Sequence, residues 1–265
     1  MNRMKQAIVA LVILGAIIFL VAFKNFYAGM PMTFPVGKDG NMGFAVVELF
    51  TSEGCSSCPP AEELVARVQN DNPDGHIYIL AYHVDYWDHQ GWKDRFDNPD
   101  YSKRQEDYSA WLRNQSVYTP EIVVNGRTSL VGSDRPALLT AIADGLKEKP
   151  GVSLNITTSV AGSQMRVRYA SDAPAEQSAL VVALIQKSGQ TVVKGGENAG
   201  LTLPHVQIVR QLLTVTLHSD SGKLSLPLPA DYMLNGWEVI AFVQNNNNGT
   251  ILSATRSDLA LHLTN

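Results

Sequence analysis

The stretch that most constrains this chain is Val46-Val47-Glu48-Leu49-Phe50-Thr51-Ser52-Glu53-Gly54-Cys55-Ser56-Ser57-Cys58-Pro59-Pro60-Ala61. It reads as a buried strand, a tight turn and the opening of a helix. Cys55 and Cys58 are the only two cysteines in 265 residues. A helix start offers unpaired N–H groups and a positive dipole end, and both favour a thiolate. The C-x-x-C spacing lets the sulfurs close a disulfide within one turn, and one thiol can attack a partner disulfide while the other resolves it. Cys55, nearer the turn, is the expected exposed nucleophile, and Cys58 the resolving thiol. The plain alternative is a structural disulfide in a binding module. So short a loop, however, gives well under the ~3 kcal/mol of a fifteen-residue one.

Arg3 and Lys5 precede an uncharged apolar run over 7–23, closed by Lys24. Its length lies near the lower limit for crossing hydrocarbon. A cleaved secretory signal shares the layout but needs small residues around the cut, which are missing here. The expectation is a single-pass inner-membrane anchor over 1–24 with the bulk in the periplasm, or a secreted chain if the segment is cleaved. In an oxidising compartment two cysteines are expected to pair. A net charge of −4 gives no basic footprint for nucleic acid, and 45% hydrophobic with 17% charged residues is an ordinary globular balance.

Residues 25–43, with Gly29, Pro31, Pro35, Gly37 and Gly40, read as a linker. From Phe44 strand and helix alternate: an apolar strand over 44–50, then Ala61, Leu64, Val65 and Val68 at helical spacing, then a strand over 77–84. Ser102-x-x-Gln105 has capping-box form and opens a helix carrying Tyr108, Trp111 and Leu112. Residues 120–125 form a third strand, Asn125-Gly126 turns into a fourth, and Ser133 begins a last helix. Beyond Pro150-Gly151 the helical signal ends. Strands are expected over 152–160, 164–170, 179–186, 206–217, 223–228, 237–244 and 250–255, suggesting a β-sandwich.

The order of these elements, with C-x-x-C opening the first helix, resembles thioredoxin. Residues 47–61, Ala81-Tyr82-His83-Val84-Asp85-Tyr86-Trp87, Gly91-Trp92-Lys93-Asp94-Arg95-Phe96, Val117-Tyr118-Thr119-Pro120, Gly132-Ser133-Asp134-Arg135 and Gly196-Glu197-Asn198-Ala199-Gly200 sharpen the likeness. They resemble an exported bacterial thioredoxin-like family catalogued as a domain of unknown function, of the DUF 1223 type. The resemblance implies a thioredoxin-like α/β domain over 44–149, followed by an all-β sandwich-like domain over 150–265. It implies a cis bond before Pro120, with Thr119 and Pro120 docking a substrate beside the cysteines. It also offers Glu48, an acid in an apolar strand, as the proton relay for the resolving thiol.

The implied activity is thiol–disulfide exchange with a protein or small-molecule thiol or disulfide, with no bound cofactor because the electrons reside in the cysteine pair. A copper or zinc carrier would recruit Cys55, Cys58 and His83, but one C-x-x-C and one histidine are incomplete ligation, so no metal centre is assigned. Tyr82, Tyr86, Trp87, Trp92 and Phe96 are core and loop anchors or an apolar rim for a peptide substrate, with Trp87 the expected substrate contact. Glu197, Asn198, His205 and Arg210 either form a loop network or face the thiol site.

Overall fold

A computed structural model describes residues 13–14, 31–34, 43–73, 76–233 and 235–258. The apolar run over 7–23 lies outside these residues except for Ile13 and Leu14. The anchor and the inner-membrane placement are corrected: among the described residues no helix is long and apolar enough to cross a membrane.

Strand β1 (Ala45–Thr51) is buried along its whole length, as its apolar run requires, and so is β2 (Ile77–His83). The two pair in parallel from Ala45↔Ile77 to Thr51↔His83, and helix α1 (Pro59–Asp71) makes the crossover. β3 (Glu121–Val124) runs antiparallel to β1 and turns into β4 (Thr128–Val131). Val124 pairs with Thr128, and within the three-residue turn between them Asn125 and Gly126 both have positive φ, 51° and 63°, a conformation Asn and Gly tolerate best. The Asn125 amide also accepts from Val46 N–H at 2.7 Å and donates to the Phe44 carbonyl at 3.0 Å.

Helix α2 (Pro99–Leu112) does not open at Ser102. Asn98 caps it, accepting from Asp100 N–H at 2.9 Å, and Pro99 takes the first position, where a missing N–H costs nothing. Ser102 instead hydrogen-bonds Asp85, and Gln105 donates to the Tyr118 carbonyl and to Glu121. Helix α3 (Arg135–Gly145) is capped by Asp134, one residue past the expected Ser133.

The seven later strands form close to where the alternation predicts them: β5 (Leu154–Ala161), β6 (Gln164–Ser171), β7 (Ser178–Val192), β8 (Thr202–Thr216), β9 (Ser221–Pro227), β10 (Trp237–Asn245) and β11 (Ile251–Asp258). Their assembly corrects the expected fold. Four of them join the first four strands in one mixed eight-stranded sheet of order β11-β10-β7-β8-β2-β1-β3-β4. The separate thioredoxin-like α/β domain followed by a sandwich does not form. The reason lies at β2, whose free edge would present unpaired backbone groups; β8 covers it, pairing in parallel at Ala81↔Ile208. Strands β5, β6 and β9 make a small second sheet. Its Met165, Val167 and Leu226 pack on Leu180, Val182, Val239 and Ala241 of the large sheet.

The face of the large sheet toward α2 holds an aromatic core in which Phe50 stacks on Tyr82 at 5.4 Å and Tyr101 and Tyr108 meet these rings edge-on. Glu48 lies within it. Arg104 Nη2 donates to Glu48 Oε1 at 3.0 Å and Arg104 Nε to Oε2 at 2.5 Å; Tyr108 also hydrogen-bonds the carboxylate. The Glu48 carboxylate and the surrounding tyrosines hold the Arg104 guanidinium charged despite burial, which alone would favour its neutral form.

Candidate functional site

Cys55 and Cys58 form a disulfide with Cα atoms 5.4 Å apart, and Cys58 is the N-cap of α1. Pro59 and Pro60 occupy the first two helical positions. They carry no N–H, so the helix start supplies fewer free donors than expected, and the dipole together with Ser57 takes their place. Ser57 Oγ lies 3.3 Å from Cys55 Sγ.

Cys55 is not the exposed member of the pair. Both cysteines are 0% exposed, while Ser56 and Ser57 between them face solvent. The Gly195–Gly200 loop is fastened across this turn. Asn198 Nδ2 donates to the carbonyls of Glu53 and Cys55, both at 2.9 Å. Glu197 Oε2 accepts from Ser56 N–H at 2.9 Å and from Ser56 Oγ at 2.7 Å, and these donors hold its carboxyl below the usual range. Gly196 adopts φ +70°, a conformation that side chains with a Cβ rarely take, so glycine suits the position. Of the four polar residues singled out in the second half, Glu197 and Asn198 meet the thiol turn directly. Arg210 instead pairs with Asp231 at 2.8 Å.

Asn198→Ala removes two buried hydrogen bonds worth about 1 kcal/mol each, so the open loop should be populated ~10–30-fold more often. Reduction of the native disulfide by dithiothreitol, followed by alkylation and mass, should accelerate by a similar factor. An unchanged rate would mean that the loop does not guard the sulfurs.

The Thr119–Pro120 bond is cis. Thr119 Oγ1 accepts from Trp87 Nε1 at 2.8 Å, and Trp87 Cβ would lie 3.2 Å from a Cβ placed on Gly54. Gly132 sits between Pro120 and Ala61 so tightly that a Cβ there would approach their Cβ atoms to 2.9 and 3.0 Å. Thr119, Pro120 and Trp87 are thus gathered around the Gly54–Cys55 turn and the first turn of α1. Glu48 is not. Alternation turns it toward α2, whereas Thr51 on the opposite face donates to Glu62 of α1 at 2.9 Å.

The acids on the α1 face are others. Glu53 accepts from Trp92 Nε1 at 2.7 Å and lies 3.4 Å from His205 Nε2. His205 Nδ1 is 2.7 Å from Glu62 Oε2, and His83 Nδ1 is 2.7 Å from Asp94 Oδ2. Burial lowers the His205 imidazole, but the adjoining Glu53 and Glu62 carboxylates outweigh it and push the pKa up to about 10. Burial works against the His83 imidazolium too, and the Asp94 carboxylate reverses the direction to a raised value. Local pattern gives neither Glu62 nor Asp94 a role. The signal for Glu62 is a carboxylate on the apolar stripe of α1; for Asp94 it is its place in the Gly91–Phe96 stretch that carries the family resemblance.

The family model for a protein of unknown function (DUF1223) matches residues 46–244. The chain belongs to this family. No curated protein matches it. Protein AGR_C_4864 from Agrobacterium tumefaciens is similar at 27% identity and a TM-score of 0.61, over 80% of this chain and 92% of that one. A domain of the outer membrane lipoprotein Omp28 from Porphyromonas gingivalis reaches a TM-score of only 0.28 at 9% identity, over 42% of this chain and 90% of that one, and carries no argument. DUF1223 membership fixes kinship without assigning an activity.

Proposed function

We propose that this DUF1223 protein performs thiol–disulfide exchange through Cys55 and Cys58. The observation that carries the reading is the disulfide itself, formed by the only two cysteines of the chain at the N-cap of α1, beside a hydroxyl donor. Its loop is too short for stabilisation to be its purpose.

In the reduced form the Cys55 thiolate attacks one sulfur of a partner disulfide. A mixed disulfide forms, and the other partner sulfur leaves as a thiolate and takes a proton. Cys58, its proton lost to solvent, then attacks Cys55 Sγ, restoring the intramolecular bond and releasing the second partner thiolate. Two electrons pass from the cysteine pair to the partner; the reverse sequence oxidises a partner dithiol. Ser57 Oγ supports the Cys55 thiolate as a donor. Trp87, Thr119 and Pro120 form the wall beside the sulfurs against which a partner segment docks once the Gly195–Gly200 loop lifts.

The wild-type protein should accelerate reduction of insulin disulfides by dithiothreitol. A rate equal to that of dithiothreitol alone would leave the pair a structural disulfide in a binding module.

A further inference from the structure

The turn after β1, α1, β2, the loop after β2 and β8 bring together five ionisable side chains that thiol exchange does not use: Glu53, Glu62, His83, Asp94 and His205. Their exposures are 0%, 5%, 0%, 0% and 1%. Three carboxylates thus face two imidazoles away from water, where charge is stable only when compensated.

We propose that Glu62, His83 and His205 bind a divalent transition cation of the zinc type. One potential ligand atom from each lies within 4.8 Å of the other two. Donors around zinc at bonds of about 2.0–2.1 Å stand roughly 3.4 Å apart, so a modest inward rotation closes the set. His83 Nε2 is fully buried with no hydrogen-bond partner, which is otherwise a costly state for a ring nitrogen. Its other nitrogen is held by Asp94, whose Oδ2 also accepts from Glu53 N–H at 2.8 Å and whose Oδ1 accepts from Phe96 N–H at 2.9 Å. His205 presents Nδ1 to Glu62 at 2.7 Å, where the cation would enter, and turns Nε2 toward Glu53 at 3.4 Å. Glu62 is itself oriented by Thr51, and Glu53 by Trp92. His83 and Glu62 are therefore each backed by a second group that fixes the ring or carboxylate, as is usual for metal ligands, while His205 Nε2 faces Glu53 without a hydrogen bond. Two imidazoles and one carboxylate suit zinc among the common divalent cations and leave a fourth position open. This site contains neither cysteine and is independent of the thiol-exchange reading.

Equilibrium dialysis of the full-length oxidised chain against zinc, with the metal added to folded protein and, separately, present during refolding, should give one zinc per chain by elemental analysis. The Cys55→Ser/Cys58→Ser double variant should bind equally well. Glu62→Gln and His83→Gln should each weaken binding at least ~100-fold, and Asp94→Asn, which only orients His83, about 10–100-fold. Cobalt(II) in the wild type should show visible d–d bands without sulfur charge-transfer absorption, a readout that needs no variant to fold. A wild type taking up no zinc by either route, zinc uptake lost with the cysteines, or full affinity in both Glu62→Gln and His83→Gln would overturn the site.

Discussion

Cys55→Ser should reduce insulin turnover to the uncatalysed background of dithiothreitol, with the fold intact. The hydroxyl that replaces the thiol has no accessible anion at neutral pH and cannot exchange with a disulfide sulfur, so the first bond of the sequence never forms. Cys58→Ala acts later: attack at Cys55 survives and resolution fails. The two variants should therefore fail differently, one leaving the partner untouched and the other retaining it covalently. Equal turnover by Cys55→Ser and wild type would exclude Cys55 as the nucleophile.

Arg104→Met should be strongly destabilising, more so than loss of the disulfide. Arg104 binds both oxygens of Glu48, donates to Tyr108 at 2.9 Å and to Gln244 at 3.2 Å, and places its guanidinium 5.0–5.7 Å from the rings of Tyr108, Phe242 and Tyr82. Removing it leaves an uncompensated carboxylate at 0% exposure in an aromatic core. Breaking one partner of such a pair costs about 3–5 kcal/mol. Urea unfolding of the oxidised protein should show a loss of this size, while the double variant Glu48→Gln/Arg104→Met should recover much of it. A loss below ~1 kcal/mol, the range of an exposed pair, would mean that the charges are not desolvated as described.

The same ion pair shows what could and could not be read from sequence. Glu48 stood out as an acid in an apolar strand, but its partner lies 56 residues away on a helix, and local pattern carries no sign of it. A proton-relay role was therefore natural to expect, and only alternation fixed by the neighbouring strands shows that Glu48 faces away from α1. The Asn125-Gly126 hairpin was legible because its two positive-φ positions are a local demand, and the strand positions were legible because alternation is local. The sheet was not. One parallel pairing, Ala81↔Ile208, converts two expected domains into a single eight-stranded sheet across 127 residues of chain. Asn198 spans a similar distance, 143 residues, to cover Cys55. Cysteine spacing announces a pair of sulfurs, but whether they face water depends on a loop that local spacing cannot place.

Because both sulfurs are covered, the most direct measurement is capture in the folded state. Cys58→Ala, incubated with glutathione disulfide under native conditions and read by intact mass, should acquire one glutathione on Cys55. Protein that stays unmodified while folded, and takes up the adduct only after unfolding in urea, would show that the pair is sealed within the scaffold and exchanges with nothing.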